Sequence, residues 1–318
     1  NNMQCGDTLS DDKFSGYKFD YIISNPPFGI PWKREEKEVT AEFKKGTAGR
    51  FAPGLPAKGD GQLLFMLNGL AKLKDDGQMA IIQNGSSLFN GDAGSGPRRY
   101  LIENDWLDAI VQLPNNAFYN TGIATYIWIV MKNKPVTHQG KVQLIDASAC
   151  CSARRKNIGS KSVDITKVCR DLIIEAYGAY VDGTYNGVDE NDNAIIVKSK
   201  VMDAIDLGYN KIVVETPQLD EDGNVVMKKK KPVADTSKRD TENVPLAEDI
   251  DAYFEREVIP YNPQAWIDKS KTKVGYEIPF TRTFYEYKQI ESSDVIAARI
   301  EEHEKSLMAK LHDLFGGE

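Results

Sequence analysis

Through its first 135 residues the chain alternates short apolar runs with segments of helical period, a pattern that restricts it to a sheet with helices packed against it. Residues 19–24 (FDYIIS) are an apolar run stopped by a proline pair and read as a buried strand. In residues 62–74, Leu63, Met66, Leu67, Leu70 and Leu73 recur at helical spacing, with Lys72, Lys74 and then Gly77 as stop signals. Residues 79–83 predict a second buried strand, and residues 97–104 a helix with Pro97 near its start. Residues 108–113 predict a third strand and residues 123–131 a long fourth. Strands separated by helices predict an α/β sheet, largely parallel, with ligands at the carboxyl ends of its strands.

Beyond residue 140 the texture changes. Residues 141–145 predict one more strand and residues 163–180 a helix. Residues 211–233 read as a β-hairpin around the Asp222-Gly223 turn. Residues 234–285, rich in proline, acids and aromatics with little periodicity, read as an extended tail wrapping a surface. Residues 291–315 predict a two-faced helix with Ser292, Ser293 and Asp294 as N-cap candidates. Its apolar stripe, Val295, Ile296, Ile300, Leu307, Leu311 and Leu314, has nearly coiled-coil spacing.

The net charge of -7 is unevenly placed: residues 1–140 carry 15 Lys+Arg against 15 Asp+Glu, and residues 141–318 carry 25 against 32. Nucleic-acid contact therefore requires local basic patches or a basic partner. No run approaches the roughly 18 apolar residues of a membrane span, and no basic-then-apolar leader opens the chain, so a soluble, cytoplasmic protein without membrane contact is expected. The 4 cysteines form no C-x-x-C pair and the 3 histidines are scattered, so neither a disulfide framework nor a metal site is expected. The opening Asn1-Asn2-Met3 so close to a buried-looking strand suggests a fragment with structure upstream.

The sharpest local feature is Asn25-Pro26-Pro27-Phe28, directly after the first strand. Two prolines restrict the backbone and remove two N–H donors, so carbonyl oxygens can point into a pocket instead of pairing in a ladder. Asn25 adds an amide oxygen and Phe28 an aromatic face. Together they form a receptor for an exocyclic amino group on a flat ring, stabilising the positive charge that develops as the amine attacks an electrophile. The bland alternative is a proline turn capping a strand.

This motif, with the FDYII strand before it, resembles the catalytic motif of amino-group DNA methyltransferases. Much of the remainder resembles the modification subunit of type I restriction-modification systems. The supporting segments are CGDTL (5–9), GQLLFMLNGL (61–70), GQMAIIQNGSSLF (77–89), RRYLIENDWLDAIVQLP (98–114), FYNTGIATYIWIV (118–130), RDTENVPL (239–246), and the block 257–287 with VGYEIPFTRTFYEY (274–287). The resemblance implies a partial Rossmann-like methyltransferase sheet with an extended tail, β-hairpin and carboxyl-terminal helix. It divides the chain into residues 1–182 (carboxyl-terminal part of the catalytic domain), 183–288 (hairpin and tail) and 289–318 (docking helix). The family's glycine-rich first motif and the helical domain before it have no counterpart. Gly91–Gly96 offers the one candidate glycine cradle, but reads as a surface loop.

The resemblance further implies S-adenosylmethionine as methyl donor and N6 of a flipped adenine in DNA as acceptor. Asn25 and the Pro26 carbonyl would hold the amine, and Phe28 would stack on the base. Asp7 would contact the cofactor's adenosine, or is a turn carboxylate; Phe118 would pack on the base's other side, or is a core aromatic. The implied partners are DNA, a specificity subunit and a restriction (motor-nuclease) subunit. Lys33, Arg34 and Lys37 lie just beyond Phe28 as candidate DNA contacts. Arg50 and Lys58 join them if the glycine-rich stretch 46–61 is a DNA-touching loop and not a plain connection. The basic run 228–231 is either a solvated face or a phosphate contact. The alternatives in function are a protein-glutamine methyltransferase, which usually has tyrosine after the prolines, and a fragment serving assembly only.

Overall fold

The structure, a computed structural model, describes residues 2–287 and 291–315. In chain order, β1 (Phe19–Ser24), α1 (Glu36–Phe43), α2 (Gln62–Lys72) and β2 (Leu73–Asn84) are followed by the one-turn helix α3 (Ser86–Phe89) and α4 (Asp92–Glu103). Next come β3 (Leu107–Gln112), β4 (Thr125–Met131) and β5 (Lys141–Asp146). A hairpin of β6 (Ser152–Ile158) and β7 (Lys161–Asp164) leads into α5 (Lys167–Ala179), β8 (Gly183–Val188), β9 (Ala194–Asp203) and β10 (Gly208–Glu215).

Seven strands form the main sheet in the order β1-β2-β4-β3-β5-β9-β8. Only β1 with β2 and β3 with β5 run parallel; the other neighbours are antiparallel. The sheet is thus mixed where a largely parallel one is expected from the sequence. The reason is local: β4 follows β3, and β9 follows β8, without a crossover helix, so each must run back beside its predecessor. β4 serves both faces of the sheet, since Ile127 and Ile129 pack toward α5 and its cluster of Val111, Ile145, Cys169 and Leu172, while Trp128 and Val130 alternate to the other side and are fully buried. Helix α2 approaches β2 closely enough that a Cβ at Gly69 would fall 2.3 Å from the Met79 sulfur.

Four sequence expectations change. The strand β1 is not buried: Tyr21 is 74% and Ile23 91% exposed, because β1 is an edge strand of the sheet. Helix α4 begins at Asp92, so the Gly91–Gly96 loop is largely helical; a Cβ at Gly96 would lie 2.6 Å from the Pro53 carbonyl oxygen, which accounts for glycine there by close approach. Gly77 sits in the irregular start of β2, where a Cβ would meet Leu73 at 2.8 Å, and does not cap α2, whose C-cap is Leu73.

The fourth change concerns β10, whose partners are not residues 225–233. Residues 216–235 make a side excursion in which Leu219 bridges Val225 across the Asp220–Asn224 turn and β11 (Met227–Lys228) pairs with β12 (Lys231–Pro232). β10 itself pairs with β13 (Asp240–Pro245), β14 (Trp266–Ile267) and β15 (Lys273–Tyr276). Its inward residues Ile212 and Val214 need apolar cover, and Val244 with Phe254 and Val258 from α6 (Ile250–Glu257) and its end supply it, whereas the 228–231 lysines cannot. The segment expected as an extended tail is therefore structured, and it ends in the one-turn helix α7 (Phe280–Thr283). Arg98, 1% exposed, ties it to the main sheet by donating to the carbonyls of Tyr276, Ser87 and Asn90.

Residues 1–283 form one compact unit and 284–318 a second. The second holds α8 (Ser293–Phe315), the helix expected from the sequence; the Ser292 hydroxyl accepts the Val295 N–H at 3.4 Å. Val295, Ile300, Leu307 and Met308 are all exposed.

Candidate active site

The parallel strands β1 and β2 and the antiparallel strand β4 bring three loops to one edge of the sheet. Ser24 pairs with Ile81 near the carboxyl end of β2, Asn84 pairs with Thr125 at the start of β4, and residues 25–28 continue from β1 beside the 113–124 connection. In the motif Pro26 is buried and Asn25 exposed. Neither the Asn25 side chain nor the Pro26 carbonyl is engaged in a hydrogen bond among the described residues. Both acceptors are thus left open, as the two prolines lead one to expect. Gly29, at φ 62°, then turns the chain away from Phe28.

Downstream, the turn is clamped. The Gly61 N–H donates to the Ile30 carbonyl at 3.0 Å, the Trp32 N–H to Lys58 O at 3.2 Å, and the buried Trp32 indole N–H to Ala57 O at 3.0 Å. The 46–61 stretch is therefore a connection fastened to the motif. Phe28 and Phe118 meet edge to face, ring centroids 6.4 Å apart at 79°. Two residues 90 positions apart in sequence are in aromatic contact.

A cleft of about 550 Å³ opens beside Pro27, lined also by Asp7, Leu9, Trp32, Glu35 and Phe65. Asp7 Oδ1 accepts the N–H groups of Leu9 (2.9 Å) and Ser10 (3.4 Å). Burial pushes the Asp7 carboxyl up, but these amides outweigh it and hold the group below its ordinary 3.8. A larger cleft, about 670 Å³, lies near the amino ends of β1 and β2 by Tyr17, Lys18, Lys72 and Trp106; it contains none of the motif residues, and we do not assign it the chemistry.

The candidate DNA contacts divide. Lys33 and Arg34 line the 550 Å³ cleft, and they and Lys37 are exposed without an ion pair among the described residues. Lys58 is exposed but paired with Glu36 at 2.5 Å. Arg50 is not available to DNA. Its side chain is 12% exposed and every donor is committed: Nε and Nη2 to Glu42 (2.8 and 2.7 Å), Nη1 to Thr8 O and Asn68 Oδ1 (both 2.8 Å), and Nη2 to Leu9 O (3.2 Å). It braces the backbone of the turn that follows Asp7.

Sequence reasoning also missed Gln62, 1% exposed, which donates to Asn84 Oδ1 at 2.7 Å and accepts the Asn84 N–H at 2.8 Å. This pairing fixes the carboxyl end of β2 to the start of α2. A glutamine directly before an apolar run is its sequence trace.

A family model described as N-6 DNA methylase matches residues 1–213. The chain is 28% identical over 160 residues to the methylase subunit of the type I restriction enzyme MjaIX of Methanocaldococcus jannaschii, a match covering 49% of this chain and 28% of that subunit. It is 31% identical over 151 residues to the MpnII methylase subunit of Mycoplasma pneumoniae, covering 47% and 27%. Among solved structures, the methyltransferase subunit of a type I restriction-modification system from Streptococcus thermophilus superposes with a TM-score of 0.50 at 27% identity, over 63% of this chain and 38% of that one. The matched stretches thus span between a quarter and two fifths of these relatives.

Proposed function

The chain belongs to the N-6 DNA methylase family, and from that premise we propose that it transfers a methyl group from S-adenosylmethionine to N6 of a flipped adenine in DNA, as part of a type I modification subunit. The observation that carries this reading is the motif itself: two open acceptors, Asn25 Oδ1 and Pro26 O, at the carboxyl edge of the sheet, next to an aromatic pair.

The 550 Å³ cleft fits the cofactor's nucleoside end, for its volume is in the range of small-molecule sites, Pro27, Trp32 and Phe65 give it apolar walls, and Asp7 is held ionised to accept hydroxyls. Bound there, S-adenosylmethionine supplies an electrophilic methyl group. The protein's own part is to hold the acceptor amine. Asn25 Oδ1 and Pro26 O each accept one N–H of the exocyclic amino group, withdrawing its lone pair from the ring and stabilising the charge that grows on nitrogen. Phe28 supplies the stacking face. In this structure Phe28 and Phe118 cover each other, a contact worth about 0.5–1.5 kcal/mol. Admitting a base exchanges this contact for stacking worth roughly 1–3 kcal/mol, which offsets its loss.

The partners proposed are DNA, a specificity subunit, for which the exposed stripe of α8 is the docking face, and a restriction (motor-nuclease) subunit. Truncation after Tyr287 should abolish assembly with the specificity subunit. We place the protein in the cytoplasm; no helix among the described residues is long and apolar enough to cross a membrane.

The decisive experiment is Asn25→Ala in the full-length subunit assembled with its partners. Methyl transfer should fall by roughly two to three orders of magnitude, as for loss of one transition-state hydrogen-bonding group, with DNA and cofactor binding nearly intact. Turnover near that of the wild type would overturn the assignment.

A further inference from the structure

We propose that the β6–β7 hairpin is a phosphate-gripping arm that holds DNA beside the base pocket. This rests on the functional reading above and deepens it by naming a further element, outside the Asn25–Phe28 motif and the basic run 228–231.

The argument begins with charge. Residues 152–164 carry four cations (Arg154, Arg155, Lys156, Lys161) against one carboxylate (Asp164), in a chain whose net charge is -7. The hairpin presents them by its register. Ala153 pairs with Val163 and Ile158 with Lys161, so Arg154–Asn157 on one strand face a single residue, Ser162, on the other. Such a bulge throws its residues outward and bends the ribbon. Arg154 folds back, its Nη1 on Asp164 at 2.6 and 2.5 Å, and Lys161 reaches the same carboxylate at 3.1 Å. Asp164 is thereby held below its ordinary 3.8, first by Arg154 and then by Lys161. Arg155 and Lys156, by contrast, are exposed and pair with nothing among the described residues. The internal ion pairs shape the bulge, and its two outermost cations are left for another molecule.

Placement supplies the second argument. The Ser160 N–H donates to Tyr119 O at 2.8 Å and the Ser162 N–H to Asn116 O at 3.1 Å, so the hairpin is fastened to the loop that carries Phe118. Gly159, at φ 57°, allows this approach; a Cβ there would lie 2.4 Å from Tyr119 O. The Lys161 ammonium stands over the Tyr119 ring at 5.5 Å, and Tyr119 is itself exposed. An exposed aromatic on the loop that fastens a hairpin with two unpaired cations, one residue from the ring that contacts Phe28, matches the chemistry of a nucleic-acid strand leaving the duplex: phosphates for the cations and a base face for the tyrosine. An acidic protein partner would need the cations but not the tyrosine.

The test uses the full-length subunit assembled with its partners and a duplex that the wild-type assembly binds. Arg155→Ala with Lys156→Ala should reduce the slope of log affinity against log salt by about 2, near 0.9 for each phosphate no longer neutralised, with melting temperature and cofactor affinity unchanged. Tyr119→Ala should weaken DNA binding while leaving the salt slope as it is. An unchanged affinity and slope in the double variant would overturn the proposal, and so would loss of partner assembly with the slope retained, which would assign the arm to a protein. Failure of the wild type to methylate DNA would refute the functional reading alone, because the salt slope, measured on the same duplex, decides the hairpin independently.

Discussion

Arg50 offers the sharpest test of the structure, because sequence and fold assign it opposite roles. Arg50→Ala removes a forked pair with Glu42 and three further hydrogen bonds, to Thr8 O, Asn68 Oδ1 and Leu9 O. Breaking a buried pair costs about 3–5 kcal/mol. The Arg50 and Glu42 side chains retain 12% and 19% exposure, and Glu42 keeps the Arg50 backbone N–H at 3.0 Å, which together place the loss near the lower end, about 3 kcal/mol. For a cooperative unit of this size the unfolding entropy is of order 0.6 kcal/mol per degree, so the melting temperature should fall by about 5 °C. Arg50→Lys should recover little of it, since an ammonium cannot reproduce the fork.

The pH dependence carries a further check. Burial pushes the Glu42 carboxyl up, but Arg50 outweighs it and holds the group below its ordinary 4.5. A depressed carboxyl contributes its full stability above the unfolded value and loses it as pH falls through the folded one. The gap between wild type and Arg50→Ala should therefore be widest near neutrality and close below about pH 4.5. Thermal denaturation of the full-length subunit, monitored by circular dichroism across this range, measures both. A melting temperature within about a degree of wild type, together with a shallower salt dependence of DNA binding, would refute the brace and restore Arg50 as a DNA contact.

Phe28→Ala should slow methyl transfer by about fivefold to 150-fold, the equivalent of the roughly 1–3 kcal/mol of one stacked base, while Phe28→Trp retains most of it; equal rates in both variants would remove the ring from the mechanism. Burial pushes the Cys150 thiol far above its ordinary 9.0, so iodoacetamide at neutral pH should alkylate exposed Cys5 well before Cys150 or Cys169, and peptide mapping that shows the reverse order would contradict the packing behind Phe118.

The Asn25-Pro26-Pro27-Phe28 motif was legible because everything that defines it is local. An apolar strand, two prolines and an aromatic stand within ten consecutive residues, and the helix at 62–72 declared itself through its own periodicity. What escaped depends on partners far along the chain. Arg50 looks like any loop cation until residues 8, 9, 42 and 68 gather around it. The Asp222-Gly223 turn is present, yet the strand before it pairs with residues 240–245, since pairing follows apolar cover more than proximity. Tyr21 and Ile23 read as core because composition cannot tell an edge strand from a central one. Residues 152–164 were invisible as an arm, for the basic triplet at 154–156 acquires meaning only when Gly159 lets it lie against Tyr119.

On the proposed function, an acidic chain that handles DNA must confine its attraction for phosphate to the place where it is useful. Salt screens exposed charges beyond about 8 Å at physiological strength, so what a phosphate meets at the pocket is set by its near neighbours, and the surplus acid of the second half is scarcely felt there. Phe28 and Phe118, which meet edge to face, each have such neighbours. Phe28 is followed within nine residues by Lys33, Arg34 and Lys37, all unpaired among the described residues, and Phe118 lies in the loop to which the 152–164 hairpin with Arg155 and Lys156 is fastened. Arg50, Lys72 and Lys74 are neutralised where they stand, by Glu42, Asp12 and Asp20. On this arrangement, removing the unpaired cations on either side should weaken DNA binding, and removing both sets should reduce the salt slope by the sum of the two separate reductions, because the two sets share no partner among the described residues.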